Sequence, residues 1–259
     1  MKILVTGHLG FIGQNMVPFM KNEGHSVFTH DWKESPYVPD VKGLDWVIHL
    51  GAISSTTDTD FRKVLDQNYD FSVDLFNRCA EHSVNLQWAS SASVYGPYAT
   101  HFAETYPPNP KSPYAWSKYL FERYVEKNRK YITVQGFRYF NVYGPHEDHK
   151  GDQASPQHKF ALQAKEKGKI LIFDGSDGFK RDFVPVQRVL EVHKSFLSIP
   201  KSGVWNVGTG KATSFQEVAE SFSVPIGYIP MPSNISKHYQ KYTCADLTKL
   251  NKDLACINT

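Results

Sequence analysis

Cysteine is scarce in this sequence of 259 residues, which contains only Cys79, Cys244 and Cys256. Their spacing matches no metal-binding motif and suggests no pairing. This scarcity argues against a small secreted domain braced by disulfides and favours a reducing compartment. Long apolar runs are also missing, and the N-terminus is typical of a first strand rather than a signal peptide. We therefore expect a soluble, cytoplasmic protein with no membrane span.

An excess of one charge is missing as well. The chain has 29 Lys and Arg against 26 Asp and Glu, a formal net charge of +3. A charge this small and this evenly spread argues against a nucleic acid or an acidic membrane surface as the partner. The length is sufficient for one large domain or a fused pair with a sizeable core.

A glycine-rich run follows an apolar segment at the start of the chain. Met1–Val5 predicts a short strand, Gly7, Gly10 and Gly13 follow it, and the next residues predict a helix that ends at Gly24. In a strand–loop–helix unit such glycines allow a tight turn and a close approach of the backbone to a pyrophosphate. Because Pro18 lies inside this helix, we expect a kink or a missing hydrogen bond there.

The second predicted strand, about His25 to His30, ends at Asp31. An acid at this distance from the glycine loop is placed to bind the adenosine ribose, which favours NAD. Lys33 leaves the alternative open, since a nearby cation would accept the 2′-phosphate of NADP. Both residues also fit a solvated loop.

Tyr114 and Lys118 are four residues apart in a predicted helix, and Ser91 stands at the end of a predicted strand. Residues at i and i+4 leave the same helix face, so the ammonium would lie near the phenol and lower its pKa. The phenol would then exchange a proton with a substrate alcohol, whose oxygen Ser91 would also hold. The Tyr and Lys spacing alone also fits an ordinary surface helix.

Strand and helix patterns alternate along the rest of the chain. Strands are predicted at 45–50, 84–90 and 132–139, and helices at 61–82 and 113–130. This alternation predicts an α/β fold with a Rossmann-like, doubly wound parallel sheet whose ligands bind at the carboxyl ends of the strands. We expect residues 1–140 and 182–213 to form the NAD(P)-binding domain. Residues 141–181 and 214–259 would form a smaller substrate-binding part, shortened at its C-terminus.

Several longer motifs carry a family resemblance. They are Gly51–Thr57 (GAISSTT), Gly136–Pro145 (GFRYFNVYGP), His149–Gly151 (HKG), Phe179–Val184 (FKRDFV), and Tyr239–Gln240 with Ala245–Leu247. On these motifs the chain resembles the ADP-glyceromanno-heptose 6-epimerases, which are extended short-chain dehydrogenase/reductases acting on nucleotide sugars. The resemblance covers nearly the whole chain.

The resemblance implies transient oxidation at C6″ of ADP-heptose, a lipopolysaccharide precursor, followed by return of the hydride to the opposite face. Tyr114 would be one acid/base, and Lys150 would serve the other face. Ser91 would polarise the sugar oxygen, and Lys118 would bind the nicotinamide ribose. Without the resemblance, Lys150 fits a solvated loop lysine equally well.

The implied cofactor is NADP, with NAD as the alternative, and the implied assembly is a homo-oligomer. The implied cofactor-binding residues are Gly7, Gly10, Phe11, Ile12, Gly13, Asp31, Trp32, Leu50, Gly51, Ala52, Asn68, Tyr114, Lys118 and Val142. The implied substrate-binding residues are Ser54, Ser91, Asn141, Asp152, Phe173, Gly175, Ser176, Arg181 and Tyr239. Arg181 is the best candidate for the diphosphate, although it also fits an ion-pair partner of Asp182. No metal is expected, even at His146–His149.

Some positions depart from the family pattern. Asp152 stands where the family usually has serine, and Arg188 where it usually has an acid. The stretch between Asp31 and Asp45 is too short for the usual helix and strand, so we expect a trimmed adenine side. A 4,6-dehydratase usually has an Asp–Glu pair where Ala92 and Ser93 stand. The remaining alternatives are a 4-epimerase of a hexose nucleotide and a catalytically silent NAD(P)-binding module.

Overall fold

The computed structural model of the chain describes residues 1–55, 58–97, 99–128, 130–232 and 240–256. Among these residues, six parallel strands form a central sheet in the order β2-β1-β3-β4-β5-β9. The strands are β1 (Lys2–Thr6), β2 (Ser26–His30), β3 (Trp46–His49), β4 (Asn85–Ser91), β5 (Val134–Tyr139) and β9 (Gly203–Val207). The predicted α/β, doubly wound sheet is confirmed.

Helices cover both faces of the central sheet. The helices of the described chain are α1 (Phe11–Asn22), α2 (Phe61–Leu65), α3 (Phe71–Glu81), α4 (Pro113–Lys127), α5 (Pro156–Lys167), α6 (Val186–Phe196), α7 (Phe215–Glu220) and α8 (Thr248–Ala255), of which α5 and α7 pack on strand β7 of a smaller sheet instead. Helices α1 and α6 contact each other over one face, where Ile3, Met16 and Leu190 pack together. Helices α3 and α4 contact each other over the opposite face, where Trp88 packs on Phe121.

Two smaller sheets lie outside the central one in the described chain. The first has the order β10-β8-β6, and the second pairs β11 with β7. Their strands are β6 (Asn141–Tyr143), β7 (Ile170–Phe173), β8 (Lys180–Pro185), β10 (Ala212–Ser214) and β11 (Ile226–Ile229). The predicted ranges of the cofactor and substrate parts remain a prediction.

Three local predictions can be compared with the structure. Helix α1 runs through Pro18, which has no N–H to donate, and Gly24 follows its end at φ +82°. Between β2 and β3 the described chain forms no helix or strand, as expected of a trimmed adenine side. The predicted single helix at 61–82 is instead α2 and α3 joined by a π-helical turn, Asp66–Asp70. Such turns insert a residue into the helix and occur often at functional sites.

Helix α4 begins where the sequence places its start signals. The Ser112 hydroxyl accepts a hydrogen bond from the Ala115 N–H, and Pro113 occupies the first turn. A serine cap followed by proline fixes the start of a helix because it satisfies a free N–H and presets the backbone angle. The helix start therefore fixes Tyr114 in the first turn and Lys118 one turn later.

A buried ion pair joins α4 to the sheet. The Glu122 carboxylate on α4 accepts two hydrogen bonds from the Arg138 guanidinium on β5, at 3.0 and 2.7 Å. It also accepts one from the Ser90 hydroxyl on β4 at 2.6 Å. Only 6–7% of each charged side chain is exposed. Removing one charge from such a pair leaves the other uncompensated in a medium of low dielectric constant.

We expect Glu122→Gln to destabilise the fold by about 3–5 kcal/mol, because Arg138 stays buried and charged without its counter-ion. Urea denaturation at neutral pH measures this loss. Glu126→Gln is the matched control, since Glu126 pairs with Arg123 on the exposed side of the same helix. It should cost less than about 1 kcal/mol. Equal losses in the two variants would contradict the assignment.

Candidate functional site

The glycine loop connects β1 to α1 at the carboxyl edge of the central sheet. Gly7 has a φ of +74°, and a Cβ there would stand 2.4 Å from the backbone nitrogen of Gly51. A Cβ at Gly13 would stand 2.1 Å from the carbonyl oxygen of Gly7. Gly10 is the N-cap of α1 and offers no capping side chain. The helix therefore presents bare N–H groups that suit a pyrophosphate, so the loop fits a dinucleotide.

Asp31 lies beside the glycine loop at the end of β2. Its carboxylate accepts hydrogen bonds from the Leu9 N–H at 3.3 Å and the Lys33 N–H at 3.0 Å. Asp31, Trp32 and Lys33 all line the same cleft. The structure thus brings both the acid that favours NAD and the cation that favours NADP to the place where a ribose would lie.

Asn68 connects the loop after β3 to the catalytic helix. Its side-chain amide pairs with both backbone groups of Ile53, at 2.7 and 2.9 Å. The same amide donates to the Ser117 hydroxyl at 3.1 Å, and Ser117 donates to the Tyr114 carbonyl at 2.8 Å. Asn68 is buried and is not on the cleft lining, so the structure shows it bonded to Ile53 and α4, while its role in cofactor binding remains a prediction.

Ser91 and Tyr114 meet at the end of β4. Ser91 is the last residue of this strand, and its hydroxyl bonds to the Tyr114 phenol. Burial raises the pKa of Tyr114, and the hydrogen bond with Ser91 works in the opposite direction. The prediction that Lys118 holds this pKa below its ordinary value is therefore wrong, because the loss of hydration on burial outweighs the hydrogen bond with Ser91.

Lys118 lies below Tyr114 on α4. Its Nζ is 5.7 Å from the centre of the Tyr114 ring. Burial lowers the pKa of Lys118 to about 8. The spacing of four residues therefore brings the two side chains together, as predicted, and the ammonium faces the cleft from inside the fold.

Lys150 reaches the cleft from a short 3₁₀ segment, Asp148–Gln153. Its Nζ donates to the Glu147 carboxylate at 3.0 Å and lies 4.7 Å from the centre of the Phe11 ring. Glu147 also accepts from the N–H and hydroxyl of Ser155 and from the Gly144 N–H. Burial raises the pKa of Glu147, but the Ser155 and Lys150 hydrogen bonds outweigh it and the net pKa is lowered. Lys150 is therefore an anchored cation.

A cleft of about 630 Å³ joins these groups. It contains the four predicted catalytic residues and most predicted cofactor contacts. The predicted residues on its lining are Gly7, Gly10, Phe11, Ile12, Gly13, Asp31, Trp32, Leu50, Gly51, Ala52, Ser54, Ser91, Tyr114, Lys118, Asn141, Val142 and Lys150.

Other predicted substrate contacts lie away from this lining. Phe173 ends β7, and Gly175 and Ser176 are in the turn that follows, where the Ser176 hydroxyl donates to the Phe173 carbonyl. Asp152 is exposed, and its carbonyl accepts from Lys159. Tyr239 lies outside the described residues. These five positions remain predictions as substrate contacts.

Arg181 is also off the cleft lining and nearly buried on β8. Its guanidinium donates to the carbonyls of Lys180 and Gln240 and lies 5.5 Å from the Phe215 ring. The neighbouring Asp182 instead accepts four hydrogen bonds from Thr209, Gly210 and Ala245. The alternative of an Arg181–Asp182 ion pair is therefore wrong, and the diphosphate role remains a prediction.

Two further residues matter for the cleft, although the sequence motifs do not single them out. Glu147 is behind the lining, and its position three residues before Lys150 is a signal for an ion pair on one helical turn. Tyr139 lines the cleft at the end of β5. What brings Tyr139 to the cleft is its place in the sheet, where it is the register partner of Ser91 on the adjacent strand. Within the described residues, no three His, Cys, Asp or Glu side chains are grouped to hold a metal.

We expect Glu147→Gln to destabilise the protein at pH 7 by about 1–3 kcal/mol, because buried donors lose their charged acceptor. The folded-state pKa of Glu147 lies below its ordinary value of 4.5, so this stabilisation is present above that pH and is lost as the pH falls. Urea denaturation at pH 7 and at about pH 4 measures the difference. Asp148→Asn is the control, since that side chain is 88% exposed. A gap between Glu147→Gln and wild type that is unchanged at low pH would contradict the assignment.

None of the helices within the described ranges is long and apolar enough to cross a membrane.

The structure is similar to that of the ADP-L-glycero-D-manno-heptose-6-epimerase of Helicobacter pylori, with a TM-score of 0.86 and 26% identity over 98% of this chain and 90% of that chain. It is also similar to a UDP-N-acetylglucosamine 4-epimerase from Methanobrevibacter ruminantium M1 in complex with UDP-N-acetylmuramic acid. The TM-score there is 0.86, with 25% identity over 97% of this chain and 91% of that one.

A UDP-glucose 4-epimerase of Thermus thermophilus, in complex with NAD, is similar with a TM-score of 0.81. The identity is 28%, over 97% of this chain and 92% of that chain. Residues 3–208 match the sequence profile of the NAD dependent epimerase/dehydratase family. This match spans the glycine loop, Ser91, Tyr114, Lys118 and Lys150. The chain belongs to the NAD dependent epimerase/dehydratase family.

Proposed function

We propose that this chain is a nucleotide-sugar epimerase that interconverts the C6″ epimers of ADP-glycero-manno-heptose with a nicotinamide dinucleotide. The observation that carries the proposal is the presence of two separate proton-transfer groups in one cleft. Tyr114 reaches it from α4, whereas Lys150 reaches it from the loop after β6. Inversion of an alcohol presents its proton from two directions, so two groups suit this reaction.

The residues that would hold the dinucleotide come from two strand ends and from helix α4. The glycine loop would take the pyrophosphate, Asp31 and Lys33 the adenosine ribose, and Lys118 the nicotinamide ribose. A bound dinucleotide would supply the hydride acceptor and donor for the sugar carbon. The protein's own side chains have a different task, because they exchange the proton on the sugar oxygen.

Tyr114 and Ser91 would hold the sugar oxygen on one face. The Ser91 hydroxyl orients the phenol, and the phenol Oη takes or gives the proton. Lys150 would give or take the proton on the other face through its Nζ. Glu147 holds the Lys150 ammonium over Phe11, so the lysine begins as an acid.

A second candidate function is a 4-epimerase of a hexose nucleotide. It is favoured by the similarity to two UDP-sugar 4-epimerases, one of them at 28% identity. In this reaction Tyr114 alone would exchange the proton at the sugar oxygen, so Lys150 would not be needed for chemistry. The two candidates therefore differ in what Lys150 does.

We expect Lys150→Met to lower conversion of either ADP-heptose epimer by roughly 10²-fold or more, because each full reaction needs both groups. NMR of the C6″ stereocentre measures the conversion. An aldehyde analogue that gives separate oxidised and reduced products should still react, and Tyr114→Phe should abolish this half-reaction. Lys165→Met is the matched control, since Lys165 is an exposed lysine on α5 outside the cleft lining.

Normal epimerisation of ADP-heptose by Lys150→Met would contradict the two-group mechanism. Wild-type conversion of a UDP-hexose at C4, unaffected by Lys150→Met, would support the second candidate. Turnover of neither sugar by the wild-type protein would overturn both.

We expect NAD and NADP to bind with affinities within about tenfold of each other, because Asp31 and Lys33 act in opposite directions on a 2′-phosphate. Calorimetry should show that Asp31→Ala weakens NAD and Lys33→Ala weakens NADP. Lys42→Ala is the control, since it is exposed in the same segment and off the cleft lining. If neither NAD nor NADP binds, the proposed function is overturned.

A further inference from the structure

A chain of buried polar side chains runs through the side of the central sheet that α6 covers. Gln87 and Gln135 are register partners on β4 and β5, and four residues further along each strand Ser91 and Tyr139 are partners again. Side chains alternate across a strand, so all four point to the same face. His193 on α6 lies between the two pairs, and it is fully buried, as are both glutamines.

Gln135 is the end of this hydrogen-bonded series that lies farthest from the cleft. Its contacts fix which group donates and which accepts in every hydrogen bond of the series. The Gln135 amide nitrogen lies 2.7 Å from the Ile199 carbonyl and 3.1 Å from the Phe196 carbonyl. Carbonyls only accept, so the amide nitrogen must face them and the Gln135 oxygen must accept from Gln87. The Gln87 nitrogen also donates to the His193 carbonyl at 3.1 Å.

The same order of donors and acceptors continues through His193. The Gln87 oxygen faces His193 Nδ1 at 2.7 Å, so Nδ1 carries the proton. Burial lowers the pKa of His193 to about 3, which leaves Nε2 without a proton. The Tyr139 hydroxyl bonds to this Nε2 and must therefore donate. The single proton of Tyr139 points into the fold, away from the cleft.

The near end of the chain lies at the proposed reaction centre. Tyr139 lines the cleft with Ser91 and Tyr114. Tyr139 is the register partner of Ser91, whose hydroxyl bonds to the Tyr114 phenol, so Tyr139 is next to this pair on the cleft lining. Burial raises the pKa of Tyr139 well above its ordinary value, and the charge of Tyr114 raises it further. With its proton directed at His193, Tyr139 presents only lone pairs to Tyr114.

We propose that Tyr139 is a positioning residue, held by the His193–Gln87–Gln135 chain as an acceptor-only oxygen that keeps Tyr114 protonated. The proposal rests on the role of Tyr114 in the proposed function. The negative end of the Tyr139 hydroxyl dipole disfavours a phenolate on Tyr114. The other titratable groups around this pair are Lys118 on α4, His49 on β3, which interacts with Lys118, and His193 on α6.

The test follows the ¹³Cζ NMR signal of Tyr114 during a pH titration of the whole protein labelled at tyrosine, without any sugar. Tyr114→Phe assigns the signal. We expect Tyr139→Phe to move the Tyr114 titration about one pH unit lower, because the acceptor oxygen is gone. His193→Phe should move it at least as far, because the Tyr139 hydroxyl is then free to turn and donate to Tyr114.

Tyr95→Phe is the matched control. Tyr95 is another buried tyrosine, its hydroxyl bonds to Asn206 at 2.8 Å, and it lies off the cleft lining. Its loss should lower the melting temperature without moving the Tyr114 titration. An equal Tyr114 titration in wild type and Tyr139→Phe overturns the proposal, since a purely structural role would change stability alone.

The His193 tautomer is an independent check. Long-range ¹H–¹⁵N spectra, assigned with His193→Phe, should show a protonated Nδ1 and a bare Nε2 that persist to about pH 5. A protonated Nε2 overturns the proposal, because Tyr139 would then accept from His193. A titration shift in a protein that converts no nucleotide sugar would support the role of Tyr139 while the proposed function fails.

Discussion

The buried carboxylate of Glu122 joins the three elements that carry the proposed chemistry. It binds Ser90 on β4 and Arg138 on β5 from its own place on α4. Each partner directly precedes a cleft residue, because Ser91 follows Ser90 and Tyr139 follows Arg138. Unpaired charges are costly inside a protein, so the pair allows little freedom in how α4 approaches the sheet. The approach of Tyr114 to Ser91 depends on this constraint.

A second constraint operates between β1 and β3, where the strand order of the parallel sheet reverses direction. There the backbones of Gly7 and Gly51 touch, and a side chain at Gly7 would have no room. Below this contact, His49 bonds to Thr6 at 2.6 Å and to Ser72 at 2.8 Å. Burial, and then the charge of Lys118, lower the pKa of His49 to about 3, so it links the strands as a neutral ring. His49 thus ties β3 to β1 and to α3 without adding a second charge near Lys118.

The sequence predicted the parts of the fold that depend on local chemistry. The glycines after β1 and the Ser112–Pro113 start of α4 are local signals, and both elements lie where they were expected. The π-helical turn at Asp66–Asp70 was not predicted because it depends on how Asn68 bonds to distant segments. The direction of the buried chain through Gln87 depends on strand register, which no local pattern encodes. The sequence shows burial only in outline. Burial raises the pKa of Tyr114, whereas the sequence predicted a lowered one.

The two lysines of the cleft illustrate how one residue type acquires two roles from its surroundings. Lys118 is buried on a helix, and burial lowers its pKa to about 8, so its ammonium loses its proton more readily than that of an ordinary lysine. Lys150 pairs with the buried Glu147 carboxylate, which anchors its ammonium. Groups whose environments differ in this way are suited to opposite tasks in proton transfer. In the proposed mechanism Lys118 would hold the nicotinamide ribose from inside the fold, whereas Lys150 would deliver a proton from a fixed position. Under that proposal the different surroundings of the two lysines, rather than their number, would let the cleft treat the two faces of one sugar carbon differently.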